Sequence, residues 1–208
     1  MPLPRHDPQL VQIGEARLLD TVDAALADAA RRAGDLLACR IGCTQCCHGA
    51  FAINALDAAR LRQGMSFLRV ENPVLAAAIE RRARAWIAEH APAFPGDPET
   101  GALGRSELDQ ARFEDFDNDA ACPALDPATG RCDVYEWRPM TCRVFGPPVR
   151  ARDENGAEGL GHCELCFIGA SQEQIAACEM TVPHALEAEL LEKVGSQDET
   201  VVAFALIP

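Results

Sequence analysis

The 208-residue sequence has few aromatic residues and little positive charge. Only 5% of its residues are aromatic, while 48% are hydrophobic, and most of that apolar mass is alanine and leucine. Both residues favour helices, so the composition predicts a mainly α protein. The 19 lysines and arginines are outnumbered by 32 acidic residues, which gives a formal net charge of −13. Such a surface repels phosphate backbones, and we expect no nucleic-acid partner.

No basic patch offsets this acidity. The densest basic run contains Arg81, Arg82 and Arg84, interleaved with apolar residues at helical spacing. That spacing predicts a solvated helix face rather than a binding surface. The acidic stretch Glu114–Asp119 fits no calcium-binding loop, and we expect a solvated loop there.

The sequence also lacks an export signal and a long apolar run. The residues that follow Met1 contain no apolar segment of signal-peptide length. The longest apolar run, Val201 to Ile207, is too short to span a bilayer and predicts a buried C-terminal strand. We therefore expect a cytoplasmic protein with no membrane partner, in which clustered cysteines stay reduced and indicate metal or redox chemistry rather than disulfides.

Apolar periodicity and capping residues predict five helices. They cover about Glu15–Ala38, a stretch from Asn54, a stretch from Asn72 to just before Pro92, a short stretch from Ser171, and about Pro183–Val194, which ends at Gly195. The turn sequence Asp126–Gly130 predicts a small β-hairpin. The expected fold is a single domain over residues 1–208, mainly α with a small irregular β-hairpin. Its metal-stabilised cysteine-cluster core spans residues 39–166, between helical flanks.

Ten cysteines carry the chemistry. They form three groups along the chain: Cys39, Cys43, Cys46 and Cys47; Cys122, Cys132 and Cys142; Cys163, Cys166 and Cys178. Cys43 and Cys46 are separated by two residues, as are Cys163 and Cys166, a step that lets two sulfurs bind one ion. Adjacent residues project in different directions, so Cys46 and Cys47 need not bind the same ion.

The predicted hairpin places Cys122 and Cys132 on one face as diagonal neighbours. Their Cα atoms would then be about 7–8 Å apart, beyond comfortable disulfide reach but suited to two sulfurs that flank a zinc ion or an iron–sulfur cluster. Three arginines, Arg131, Arg138 and Arg143, adjoin ligand positions. They are either charge partners of the thiolates or ordinary surface residues.

The third cysteine group is less well specified. Cys178 lies beside Ile175 on a short helix, so we expect a buried core residue rather than a ligand. For Cys166 the spacing from Cys163 is the only argument that it is a ligand. His48 and His162 adjoin cysteines, and we expect exposed neighbours or donors behind the ligands.

The motifs resemble the CxxCxxCC cysteine-cluster family of bacteria, which is described as zinc- or iron-chelating and includes a domain of flagellin lysine-N-methylase. The resemblance spans Cys39 to Cys166 and is most specific where Cys132 is followed by Tyr135, Arg138-Pro139 and Cys142-Arg143. It implies these metal ligands: Cys39, Cys43, Cys46, Cys47, Cys122, Cys132, Cys142 and Cys163. The sequence departs from the family pattern in having three residues between Cys39 and Cys43.

Eight thiolates can fill two tetrahedral zinc sites, or one iron–sulfur cluster, such as a 4Fe-4S cluster, plus another site. The sequence thus predicts an intracellular metal-binding protein that holds zinc or iron, with metal ions and a protein substrate or partner as binding partners. Whether it is an enzyme stays open.

Two enzymatic alternatives remain. The resemblance to flagellin lysine-N-methylase suggests a protein lysine N-methyltransferase, although no glycine-rich strand–helix turn marks a nucleotide-like cofactor pocket. The spacing Cys39-x3-Cys43-x2-Cys46 matches radical S-adenosylmethionine enzymes. No alternating strands and helices follow it, however, from which a barrel could be built.

Overall fold

The computed structural model describes residues 8–152 and 158–208, which are mainly helical with short antiparallel strand pairs, as predicted. The helices are α1 (Pro8–Ala33), α2 (Ala55–Glu71), α3 (Pro73–His90), α4 (Glu107–Glu114), α5 (Met140–Val144), α6 (Gln172–Ala177), α7 (His184–Val194) and α8 (Val202–Ala205). The strands are β1 (Ala52–Ile53), β2 (Leu125–Asp126), β3 (Arg131–Cys132), β4 (Val149–Arg152), β5 (Glu158–Gly161) and β6 (Thr200–Val201). They pair as β1–β6, β2–β3 and β4–β5. None of the helices in the described residues has the length and apolarity needed to cross a membrane.

Three helices begin where their capping residues predict. The Asn54 side chain accepts two backbone N–H hydrogen bonds, at 3.0 and 3.1 Å, at the start of α2. Asn72 caps α3 in front of Pro73, and Ser171 and Gln174 form a capping box at α6. These side chains satisfy N–H groups that lack helical acceptors, which makes the starts recognisable in the sequence.

Helix ends depend on backbone conformation. The α7 helix ends as predicted at Gly195, which has a φ of +72°. The predicted bounds of the first helix are wrong, because α1 begins at Pro8 and ends at Ala33, where a 3₁₀ turn starts at Gly34 with a φ of +50°. Glycine adopts this left-handed conformation at little cost, so it ends the helix early. Cys39 consequently lies outside regular secondary structure.

The chain divides into two compact units, each built from two stretches of sequence. Unit 1 comprises Met1–Arg40 and Thr141–Gly195, and unit 2 comprises Ile41–Met140 and Ser196–Pro208. Each unit holds half of the cysteines. Unit 1 contains Cys39, Cys142, Cys163, Cys166 and Cys178, and unit 2 contains Cys43, Cys46, Cys47, Cys122 and Cys132. The single-domain organisation stays a prediction.

Helices α2, α3 and α8 enclose the main hydrophobic core of unit 2. Leu61, Met65 and Ile79 are fully buried there, and burial of such side chains stabilises the fold by about 1.5–3 kcal/mol each. Cys122 and Cys132 pack against this core. The core therefore supports the segments that carry both cysteines.

In unit 1, helix α1 packs against α7. Gly14 permits the close approach, because a Cβ atom at that position would lie 2.5 Å from Cδ2 of Leu190. Leu18, Val22 and Leu190 are buried, with at most 1% of their surface exposed. The glycine and the apolar stripe together fix how these two helices meet.

The apolar run at Val201 to Ile207 was predicted to be a buried strand. Its secondary structure was predicted wrongly, but its burial was predicted correctly. Only Thr200–Val201 is a strand, and Val202–Ala205 forms the short helix α8. All residues from Val201 to Leu206 are buried. A short apolar run indicates burial but does not distinguish a strand from a buried helical turn.

Candidate metal centre

The first cysteine loop of unit 2 is a tight turn. Gln45–Cys47 forms a 3₁₀ helix, closed by a hydrogen bond from the Cys47 N–H to the Thr44 carbonyl at 2.8 Å. Within this turn the thiols of Cys46 and Cys47 are hydrogen-bonded to each other. The two adjacent side chains therefore meet, although neighbouring residues commonly project in different directions.

The hairpin carries the second pair of cysteines in a register that differs from the predicted one. Leu125 pairs with Cys132, so Cys122 lies before strand β2 and is not a diagonal neighbour of Cys132. The cause is a turn in which the Leu125 N–H donates to the Cys122 carbonyl at 2.9 Å. This turn, rather than the strand ladder, sets the position of Cys122.

Backbone pairing joins the first loop to the segment before the hairpin. The Cys122 N–H donates to the Cys47 carbonyl at 2.7 Å, and the Gly49 N–H donates to the Ala120 carbonyl at 2.9 Å. An isolated antiparallel bridge links His48 and Ala121 between them. Two segments that are distant in sequence therefore place Cys47 beside Cys122.

The thiols of Cys46, Cys47, Cys122 and Cys132 form one electrostatic group. The hydrogen bond from Cys47 lowers the pKa of Cys46 to about 7. The same hydrogen bond, followed by burial and the neighbouring thiolate charges, raises the pKa of Cys47. Burial raises the pKa of Cys122 to about 12 and also raises the pKa of Cys132. One thiol of the group thus ionises readily, and the others resist the build-up of further negative charge.

Arg138 is the cation of this group. It is buried, its guanidinium lies 3.9 Å from the centre of the Tyr135 ring, and its charge helps to lower the pKa of Cys46. Its carbonyl accepts a hydrogen bond from Arg60 at 3.2 Å. The sequence left Arg131 and Arg138 equivalent, yet Arg131 is exposed. The sequence signal that could have separated them is the position of Arg138 3 residues after Tyr135, because an arginine at this distance can form a cation–π contact with the ring.

The predicted ligands of unit 1 occupy more varied surroundings. Cys39 is exposed, and Cys142 is half-buried on α5. Cys163 and Cys166 are buried and belong to one turn, in which the Cys166 N–H donates to the Cys163 carbonyl at 2.9 Å. Next to Cys142, the Arg143 guanidinium is only 3% exposed.

Arg143 pairs with the carboxylate of Asp23, at 2.7 and 2.8 Å to its two oxygens. This arginine is therefore buried within unit 1 and does not lie on the surface. The carboxylate partner already balances much of its charge. Arg143 thus differs from Arg138, whose charge acts on the Cys46 thiol and whose guanidinium lies over the Tyr135 ring.

All ten cysteines lie in described parts of the chain, and none forms a disulfide. His48 and His162 are exposed, as predicted. Across residues 8–152 and 158–208, no three Cys, His, Asp or Glu side chains already surround one point as metal ligands. A bound ion would therefore need thiol side chains to rotate inward. The donors themselves fit, because thiolates are preferred ligands of zinc and of iron–sulfur clusters.

The helical fold and the converging thiols define a small cysteine-cluster metal-binding protein. The chain belongs to the CxxCxxCC family, described as “Putative zinc- or iron-chelating domain”, whose model matches residues 38–164. This match confirms the family predicted from the sequence and supports metal binding as the function. The matched region includes Cys39 to Cys163 and ends before Cys166 and Cys178. No curated protein and no solved structure matches the chain significantly.

Proposed function

We propose that the protein holds zinc or iron through cysteine thiolates and that one centre lies in unit 2. The proposed ligands there are Cys46, Cys47, Cys122 and Cys132, with Cys43 as a fifth thiol of the same loop. The observation that carries this proposal is the backbone pairing of Cys47 with Cys122, which brings thiols from two distant segments together. Without a cation, four ionised thiols so close to one another would repel strongly.

The unit 2 centre has the charge balance that thiolate ligands need. A bound cation supplies positive charge that offsets deprotonated thiols and ties the first loop to the hairpin. Arg138 adds a buried positive charge that acts to lower the pKa of both Cys46 and Cys132. We therefore infer that metal binding and the order of these segments are coupled.

We also propose the remaining predicted ligands, Cys39, Cys142, Cys163 and Cys166, as thiolate donors of unit 1. The family match supports the first three of them. Two zinc ions, or an iron–sulfur cluster with a further site, both remain compatible with these donors. Reduced thiols suit a cytoplasmic location. The methyltransferase and radical-enzyme alternatives stay predictions.

The direct test is metal analysis and visible absorption of protein purified without oxygen. We expect bound zinc without colour, or bound iron with the broad absorption of an iron–sulfur cluster. The Cys122→Ser and Cys132→Ser variants should each lose bound metal, because each removes a thiolate from the unit 2 group. The control is Ala121→Ser, which places a hydroxyl at the exposed neighbour of Cys122.

The control should keep the metal content of the parent protein. If both cysteine variants also kept it, Cys122 and Cys132 would not be ligands. Folded protein without metal, prepared from cells supplied with zinc and iron, would contradict the proposed function as a whole.

A further inference from the structure

Two cysteines beyond the family match lie together in unit 1. Cys166 and Cys178 follow the matched residues 38–164 and are 2% and 4% exposed. They share one buried cluster with Cys163, against Phe167 and Ile175. Three cysteines from two segments therefore lie in one cluster that is largely shielded from water.

The turn that carries two of these thiols has an unusual backbone. Phe167, directly after Cys166, has a φ of +58°, which a residue with a bulky side chain rarely adopts. Its N–H donates to the Leu36 carbonyl at 2.7 Å. Strain of this kind persists where the surroundings require one geometry, often at a functional site. Here the strained residue directly follows the Cys163-x-x-Cys166 segment.

The third thiol is held from both sides. Cys178 follows helix α6, and its N–H donates to the Ile175 carbonyl at 3.0 Å. The guanidinium of Arg32, on α1, donates to the carbonyls of Ala177 and Glu179, the two residues that flank Cys178. The position of Cys178 is thus fixed by hydrogen bonds in addition to apolar packing.

A fourth thiol is connected to this cluster through Gly146. A Cβ atom at Gly146 would lie 2.7 Å from the sulfur of Cys39, and the Gly146 carbonyl accepts a hydrogen bond from the Cys163 N–H at 3.2 Å. The absence of a side chain at Gly146 leaves room for the Cys39 sulfur. Leu37 and Ala38, just before Cys39, pack against the buried cluster itself.

We propose that Cys39, Cys163, Cys166 and Cys178 are the four ligands of a second metal centre. This centre lies entirely within unit 1 and holds a zinc ion. This inference rests on the proposed function, since it assumes that the protein binds metal through thiolates. It takes Cys178 in place of Cys142 among the unit 1 donors proposed above, and it assigns Cys166 to a definite set. Four thiolates suit the tetrahedral coordination of zinc. Binding draws the sulfurs together by rotation of side chains around the fixed backbone.

The test counts zinc ions on the full-length protein by native mass spectrometry. We expect two ions on the parent protein, and loss of one of them in Cys166→Ala and in Cys178→Ala. The matched control is Ile175→Ala, which perturbs the same buried cluster without removing a sulfur. It should keep both ions. Cys122→Ala should lose the other ion.

A second measurement uses the unmutated chain. Iodoacetamide labelling in moderate urea, mapped by mass spectrometry, should modify Cys178 more slowly with zinc than with a chelator. The inference is overturned if Cys178→Ala keeps both ions, if Ile175→Ala loses an ion as well, or if zinc leaves the labelling of Cys178 unchanged. One ion lost only in Cys122→Ala would end this inference and leave the proposed function intact. No bound zinc or iron at all would end both.

Discussion

Arg82 links helix α3 to both ends of the cysteine-bearing hairpin. Its Nε donates to the Pro123 carbonyl at 2.8 Å, and its Nη2 lies 2.5 Å from a carboxylate oxygen of Asp133. Pro123 follows Cys122, and Asp133 follows Cys132. The predicted solvated helix face is therefore wrong for Arg82. Sequence spacing does not show which arginine of a run meets another segment until the position of that segment is known.

We predict that Arg82→Ala destabilises the protein by about 1–3 kcal/mol, because it removes hydrogen bonds that involve charged groups. It should also weaken metal binding, since the hairpin ends lose a shared anchor. Urea unfolding and a metal-chelator competition assay measure the two effects. Arg81→Ala, at the exposed neighbouring position, is the control and should change neither quantity. Equal effects of the two variants would contradict the anchoring role.

Asp57 and Arg60 form a buried ion pair in unit 2. Their side chains are 3% and 4% exposed, and the pair is 2.8 Å apart. The Met140 N–H also donates to Asp57, at 3.0 Å. The sequence showed Asp57 only as a charge near a helix start, because its distant partner at Met140 leaves no local signal.

Asp57→Ala should lower the free energy of unfolding by about 3–5 kcal/mol, since it leaves a buried guanidinium without its carboxylate. Asp28→Ala removes a carboxylate that pairs with Arg31 and Arg32 on the surface. That control should cost less than about 1 kcal/mol. Thermal or urea unfolding measures the loss of stability in both variants. Equal losses would show that the buried Asp57–Arg60 pair stabilises the protein no more than the exposed pairs of Asp28 do.

At the scale of elements, the chain shows which features a sequence encodes locally. The starts at Asn54, Asn72 and Ser171 were predictable because the cap residue satisfies the first N–H groups of its own helix. The register before β2 was not predictable, because it depends on a turn at Cys122 and on pairing with the distant Cys47. The hairpin of β4 and β5 and the short helices α4 and α5 were missed, since each carries little periodic pattern.

Helix α6 offers a prediction at this scale. Ser171→Ala removes the capping box and should destabilise the protein by about 1 kcal/mol. Because α6 leads into Cys178, this variant should also speed the alkylation of Cys178. Ser106→Ala, which removes the cap of α4 in unit 2, is the control. It should leave the labelling rate of Cys178 unchanged, and an equal increase in both variants would contradict a local effect.

At the scale of the whole molecule, the candidate ligands could be chosen from the sequence, but their grouping in space could not. The Cys-x-x-Cys steps and the resemblance identified the thiols, since short spacing and residue type are local properties. The division of these thiols between two compact units depends on non-local folding. Cys43 and Cys39, close in sequence, belong to different units. Sequence distance therefore does not tell which thiols share an ion.

The central claim is that cysteine sulfur atoms bind the metal. X-ray absorption at the zinc or iron edge of the full-length protein measures the bound atoms directly. The account predicts a first shell of sulfur at about 2.3 Å from the metal. A first shell made only of nitrogen and oxygen at about 2.0–2.2 Å would contradict it.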